Sequence, residues 1–182
     1  MARKPRDNIR GGIYHVFARG DNRELIYLND ADRHVYLRLL EKVVARDNWR
    51  CLAFCLMANH VHLLIETPEG NLSEGMHRLH SRYAQAFNGR HDRCGHVFQG
   101  RYGSVRVESD RQLFAILAYI ARNPIEAALC DDPAQWRWSS FRSVISDSAA
   151  HWLADEYLLR RLDPDPVKAR ERYADLANLK GA

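Results

Sequence analysis

The sequence predicts an α+β fold of ferredoxin-like form: a split βαβ arrangement whose four-stranded antiparallel sheet carries helices on one face. Three observations point there. The hydrophobic period alternates between strand-like and helix-like in the order strand, helix, strand, strand, helix, strand. Two apolar runs, Cys51 to Met57 and Val61 to Glu66, are separated only by Ala58-Asn59, which reads as a hairpin. Turn or capping residues mark nearly every switch between elements.

Ile13 to Ala18 is the first strand, stopped by the turn cluster Arg19-Gly20-Asp21-Asn22. Asn29 or Asp30 caps a helix over about 31–47, with Val35, Leu39, Leu40 and Val43 at helical spacing. The hairpin follows, and Pro68, Gly70 and Asn71 break it. Ser73 then opens a second helix to about Phe87, with Met76, Leu79, Tyr83 and Phe87 on one face and Asn88-Gly89 as its stop. A loop punctuated by Gly95, Gly100 and Gly103 leads to a short fourth strand near Val105 to Val107. Ser109 or Asp110 caps a third helix through Leu113, Ile116, Leu117 and Ile120, which Pro124 is expected to end because the residue before a proline is pushed out of helical angles. This helix is an addition to the split βαβ unit, and 155–179, divided by Pro164 and Pro166, adds extra C-terminal helices.

The chain has 182 residues, 46% of them hydrophobic, which suits one domain, with or without a short appendage. Its apolar runs stop far short of the roughly 20 residues that cross a bilayer, so no membrane partner is expected. Met1 to Arg10 is basic but lacks a following signal-peptide core, and Cys51, Cys55, Cys94 and Cys130 contain no Cys-x-x-Cys pair. A cytoplasmic protein with reduced thiols and no zinc ribbon is expected.

Arginine supplies 23 of the 27 cationic side chains, against 23 acids. Its planar fork suits phosphate better than a lysine point charge does. Between His77 and Val107 stand six arginines and four histidines with Asp92 as the sole acid, whereas acids slightly outnumber cations after Cys130. A basic middle on a nearly neutral chain is the footprint of a nucleic-acid binder, although a solvated basic face has the same composition.

His60-Val61-His62 opens the third strand. Residues two apart share a strand face, so the imidazoles can converge on one cation while Val61 points away. Such a pair is common on sheets and by itself defines no site. Tyr119 and Asn123, four residues apart on the third helix, both fall at the edge of its apolar face, where a phenol can reach a cleft between helix and sheet. A border tyrosine that only packs has the same spacing. Tyr83 is the rival phenol, but it shares its face with Met76, Leu79 and Phe87 and is assigned to packing or base stacking. No phosphate-binding glycine loop, dinucleotide fingerprint, His-Glu-x-x-His or Gly-x-Ser-x-Gly occurs, and His91 and His96 around Cys94 lack the second cysteine of a metal knuckle.

Five segments, in order, carry a resemblance: Met57-Ala58-Asn59-His60-Val61-His62-Leu63-Leu64; Arg82-Tyr83 through Phe87-Asn88; Gly95-His96-Val97-Phe98-Gln99-Gly100-Arg101-Tyr102; Ala118-Tyr119-Ile120-Ala121-Arg122-Asn123-Pro124; and Trp138-Ser139-Ser140-Phe141. On these the chain resembles the single-tyrosine HUH transposases (IS200-like), most of all the REP-associated tyrosine transposases, over about 9–145. The resemblance implies an HUH transposase-like catalytic domain at 1–148 and a C-terminal helical extension at 149–182. It implies a transposase-like endonuclease and strand transferase that nicks single-stranded, hairpin-forming DNA of a palindromic repeat element, with Tyr119 as nucleophile and a 5′-phosphotyrosine intermediate. His60, His62 and Asn123 would hold Mg²⁺ or Mn²⁺. Imidazoles favour later transition metals over the oxygen-preferring Mg²⁺, so Mn²⁺ is expected to support activity better in vitro.

DNA contacts are expected from Arg82, Arg90, Arg93 and Arg101, from a basic arm of Arg3, Lys4, Arg6 and Arg10, and from His96, Phe98 and Tyr102 as stacking platforms for unpaired bases. Family relatives act as monomers or homodimers, and both states stay open here. The competing readings are a domesticated, non-catalytic protein that binds nucleic-acid hairpins, and a metal-dependent hydrolase that uses water and needs no tyrosine.

Overall fold

The computed structural model describes residues 8–178. Strand β1 (Gly12–Arg19) is followed by helix α1 (Asp30–Asp47), the hairpin β2 (Arg50–Leu56) and β3 (His60–Thr67), helix α2 (Leu72–Arg90), strand β4 (Gly103–Val107) and helix α3 (Asp110–Glu126). Three shorter helices close the chain: α4 (Ser140–Ile145), α5 (Asp155–Leu162) and α6 (Pro166–Asn178). The sheet order is β2-β3-β1-β4 and every pairing is antiparallel, so the protein has the α+β split βαβ topology read from the sequence.

The two sheet faces are covered by different helices. Alternation puts Val61, Leu63 and Ile65 on one face of β3 and His60, His62, Leu64 and Glu66 on the other. Helices α1 and α2 pack along each other on the first face. There Tyr36 of α1 lies against Cys51, the register partner of Ile65. Tyr27, Tyr36 and Tyr83 form a cluster of edge-on and tilted rings 5.0–5.6 Å apart. The buried Tyr83 donates its hydroxyl to the Ile26 carbonyl, so it belongs to the core, not to a site. The added helix α3 lies on the opposite, histidine-bearing face. Asn123 touches His60 and Tyr119 touches His62.

Two helix ends differ from expectation. Helix α2 passes Asn88-Gly89 to Arg90, because a solvent-facing Gly89 costs little there and His91 anchors the end: its amide bonds the Phe87 carbonyl and its ring contacts the buried Asp32 at 2.9 Å. Helix α3 passes Pro124 and ends at Glu126. Proline removes only its own N–H, and the ladder resumes with Ala127 N–H to Asn123 O at 3.1 Å and Leu129 N–H to Pro124 O at 2.9 Å.

The outer edge of β2 is not left open. Ser139 bridges Cys55, and Leu153 bridges Cys51. Ser140 Oγ accepts the Phe54 N–H at 3.0 Å and donates to the Phe54 carbonyl at 3.3 Å, standing in for a fifth strand. Beyond 148, Leu153, Leu158, Leu159, Leu162, Ala169, Tyr173 and Ala177 are buried in the same core as the sheet, and Tyr173 meets Phe141 edge-on at 5.1 Å.

One close approach fixes how α2 meets the sheet. Trp49 lies flat on Gly75, and its indole N–H donates to Asn71 Oδ1 at 2.8 Å while Asn71 Nδ2 donates to the Asp47 carbonyl at 2.9 Å. Any Cβ at 75 would collide with the indole ring. Gly75→Ala is therefore expected to destabilise the fold by about 1–3 kcal/mol through overpacking, despite the roughly 1 kcal/mol that alanine gains in helix propensity. The denaturant midpoint reads this out, and an unchanged or raised midpoint would refute the tight contact.

Candidate active site on the histidine face

Period-two alternation in β1 puts His15, Phe17 and Arg19 on the face that carries His60 and His62 in β3. The β1–β3 register pairs Phe17 with His62 and Arg19 with His60. The loop after α2 returns alongside β1, with Gln99 N–H bonding the Arg19 carbonyl at 2.9 Å and Phe98 bridging Gly20. These elements and α3 enclose a cleft of about 630 Å³ lined by His15, Phe17, Arg19, His60, His62, Gln99, Arg101, Gly103 and Tyr119.

Hydrogen bonds fix the tautomer of His60. Asn59 Nδ2 donates to the Arg23 carbonyl at 3.1 Å, which turns Asn59 Oδ1 to His60 Nδ1 at 2.8 Å. Nδ1 thus carries the hydrogen, and Nε2 presents a lone pair. On the other side, Asn123 Nδ2 reaches the Tyr119 carbonyl at 3.4 Å, leaving Asn123 Oδ1 3.1 Å from His60 Nε2. Two acceptors face each other. Turning the amide over moves the conflict to the Tyr119 carbonyl. A proton on Nε2 would relieve it, and Asn123 favours one, but burial outweighs that contact and, with a smaller push from Arg19, holds the His60 pKa below its ordinary value. A cation relieves it equally well.

His62 has a partner that the sequence did not disclose. His15 Nε2 lies 3.0 Å from His62 Nδ1, with the rings stacked at 5.1 Å. Burial lowers the His15 pKa to about 4, and burial together with His15, His60 and Arg19 lowers that of His62 to about 3. Both rings stay neutral near pH 7, the form that binds metals. With His62 Nδ1 occupied, Nε2 is the atom left for a ligand, an arrangement typical of a ligating histidine held by a neighbour. Among the described residues no group of three or more His, Cys, Asp or Glu is arranged to hold a metal ion. The donor set that does fit is two imidazoles and the Asn123 amide oxygen.

Tyr119 is 42% exposed at the cleft, its ring edge-on to His62 at 5.3 Å and to His15 at 5.8 Å. Among the arginines expected to meet DNA, Arg101 lines the cleft and Arg82 is exposed on α2. Arg93 is paired with Glu24, Arg10 with Glu69, and Arg90 lies 3.7 Å from Asp32. Arg3, Lys4 and Arg6 fall outside the described residues. His96 is exposed.

Phe98 and Tyr102 correct the expectation of stacking platforms. They are only 7% and 5% exposed: Phe98 stacks on His80 at 4.1 Å, and the Tyr102 hydroxyl meets Ser73 Oγ at 3.3 Å. Their rings hold the loop to α2. The sequence does not separate the two roles, because an aromatic in a basic glycine-rich segment looks the same whether it packs or stacks.

The histidine face thus carries paired imidazoles under a helix that offers a phenol, beside arginines that have no carboxylate partner among the described residues. The chain belongs to the IS200-like transposase family, whose model ("Transposase IS200 like") matches residues 9–123 and so takes in His15, His60, His62, Tyr119 and Asn123. It is similar to a candidate REP-associated tyrosine transposase of Haemophilus influenzae, 25% identical over 155 residues, covering 78% of this chain and 86% of that protein. In fold it is similar to a REP-associated tyrosine transposase solved bound to a REP hairpin, with a TM-score of 0.71 at 15% identity, covering 84% of this chain and 90% of the other.

The neutral histidines set a pH signature. Both folded pKa values lie below the ordinary 6.5, so below pH 6.5 the unfolded chain binds more protons and stability falls with falling pH down to about 4 and about 3. With chelator present, His15→Phe should lose stability less steeply between pH 6.5 and 4 than the parent and run parallel to it above 6.5. Equal slopes throughout, measured by denaturant midpoints, would mean that His15 is not held neutral by burial.

Proposed function

We propose that this transposase cleaves and rejoins single-stranded, hairpin-forming DNA through a covalent bond to Tyr119. The observation that carries the reading is the exposed Tyr119 ring set edge-on against His62 and His15 at the mouth of a cleft containing Arg19 and Arg101. The structural neighbour bound to a REP hairpin supports hairpin DNA as the substrate class.

Tyr119 Oη attacks the scissile phosphorus, the new O–P bond forms, and the P–O3′ bond breaks. The upstream strand leaves with a 3′-hydroxyl, and the downstream strand stays on Tyr119 as a 5′-phosphotyrosine. The phenol proton is lost as the bond forms, and the departing 3′ oxygen takes up one. Exchange of one phosphate ester for another conserves the bond, so a 3′-hydroxyl can reverse the step without a nucleotide cofactor. A divalent ion held by His60, His62 and Asn123 supplies Lewis-acid polarisation of the phosphate when bound, and Mn²⁺ suits two imidazoles better than Mg²⁺ does. His15 acts through His62, fixing its tautomer and ring plane. Arg19 and Arg101 neutralise phosphate charge, and Asn59 fixes His60 in the same way.

Denaturing electrophoresis of the protein with end-labelled hairpin oligonucleotides and Mn²⁺ tests this. The protein is expected to carry the fragment 3′ of the cut. Tyr119→Phe should bind as before and form no adduct, whereas Tyr83→Phe should still form it while losing about 1–3 kcal/mol of stability from the unpaired Ile26 carbonyl. An adduct on Tyr119→Phe refutes the nucleophile. Cleavage without any adduct in the parent points to hydrolysis by water, and hairpin binding without cleavage to a non-catalytic binder.

The metal set is tested separately. His60→Ala and His62→Ala should each abolish nicking and weaken Mn²⁺ binding at least tenfold by calorimetry, with hairpin affinity kept within a few-fold. Wild-type nicking by the double variant would exclude the histidine pair as a metal site.

A further inference from the structure

The two rings expected to stack on DNA are buried, yet the cleft contains an open aromatic face that the sequence did not mark. Phe17 is 40% exposed at the cleft wall. Single exposed apolar side chains are ordinary on protein surfaces, so exposure alone means little. Placement is what distinguishes this one. In the sheet Phe17 sits between His62 on β3 and Gly103 on β4. Its ring lies so close over Gly103 that any Cβ there would collide with it, and the His15 and His62 rings stand beside it at 5.5 and 6.4 Å. The ring is thus braced against the sheet by a residue with no side chain.

The charge around it is equally specific. Arg19, two residues along the same strand face, and Arg101, two residues before Gly103 in the cleft lining, have no carboxylate partner among the described residues, whereas Arg10 and Arg93 each have one. A braced aromatic face beside two guanidinium groups has the components of a single-strand subsite: a π surface for a base and cations for the neighbouring phosphates.

We propose that Phe17 is a stacking platform for one unpaired nucleobase next to the scissile phosphate, with Arg19 and Arg101 holding the adjoining phosphates. The inference rests on the proposed DNA-cleaving function and adds to it the class of ligand this wall accepts. Phenylalanine offers no hydrogen bond, so the platform takes any base. It sets the register of the strand, not its sequence.

The test is binding of hairpin oligonucleotides with unpaired flanks, in which each flanking nucleotide in turn is made abasic or replaced by 2-aminopurine. The parent should quench 2-aminopurine at one flanking position. Phe17→Ala and Phe17→Leu should both bind the intact oligonucleotide roughly 5- to 100-fold more weakly, bind the oligonucleotide abasic at that position no more weakly than the parent does, and lose the quenching. Phe17→Trp should keep both. Leucine still covers Gly103 but has no aromatic face, so full affinity in Phe17→Leu overturns stacking in favour of packing. Unchanged binding by Phe17→Ala in a preparation whose parent cleaves overturns the platform alone. A parent that neither binds nor cleaves any hairpin overturns the function on which it rests.

Discussion

The site depends on the register between β1 and β3. A strand presents alternate residues to opposite faces, so a slip of one position would send His15, Phe17 and Arg19 to the side filled by α1 and α2. The pairing of Phe17 with His62 and Arg19 with His60 prevents this, and it is tied at the hairpin tip, where Gly20 N–H bonds the Asn59 carbonyl at 2.8 Å and Ile26 N–H bonds the Ala58 carbonyl at 3.1 Å. The opposite face supplies the energy. Val16, Val61, Leu63 and Ile65 are buried there, and no shifted register could keep them so. The apolar side of the sheet thereby fixes the positions of the polar side.

Given that register, the histidines follow from two asparagines and a third imidazole. Asn59 and Asn123 each spend their amide hydrogens on a backbone carbonyl and turn their oxygens to His60. His15 occupies the inner nitrogen of His62. None of these contacts needs a charge, and burial keeps all three rings neutral. The result is two imidazoles and an amide oxygen gathered on one face of the sheet, assembled from β1, β3, the hairpin turn and α3.

How much of this could be read from the sequence varies with the kind of signal. Strand and helix order was legible because period and turn residues agree along the chain, and the His-x-His face followed from alternation alone. Pro124 misled because a missing N–H removes one rung without ending a ladder whose later residues remain buried. His15 is not legible as a site residue, because one histidine within Ile13 to Ala18 has no periodic partner in its own strand. Its partner lies 47 residues away in sequence and becomes visible only through register. Arg90 and Arg93 read as free cations in a basic segment, but their acids, Asp32 and Glu24, come from α1 and the loop before it. The 138–141 segment carried part of the family resemblance, and its serines bond the edge of β2.

Helix α3 is held at both ends: Asp110 is paired with Arg161 of α5 at 3.0 Å, and Asn123 meets His60 across the sheet at 3.1 Å, while α6 packs along it between them. These contacts tie the helix that carries the phenol to the sheet and to the C-terminal helices. With the helix in this place, under the proposed chemistry the covalently attached strand stays where it was cut, and a second end has to come to it. Strand exchange becomes a traffic problem for DNA, with one loading bay that the departing and incoming 3′ ends must occupy in turn.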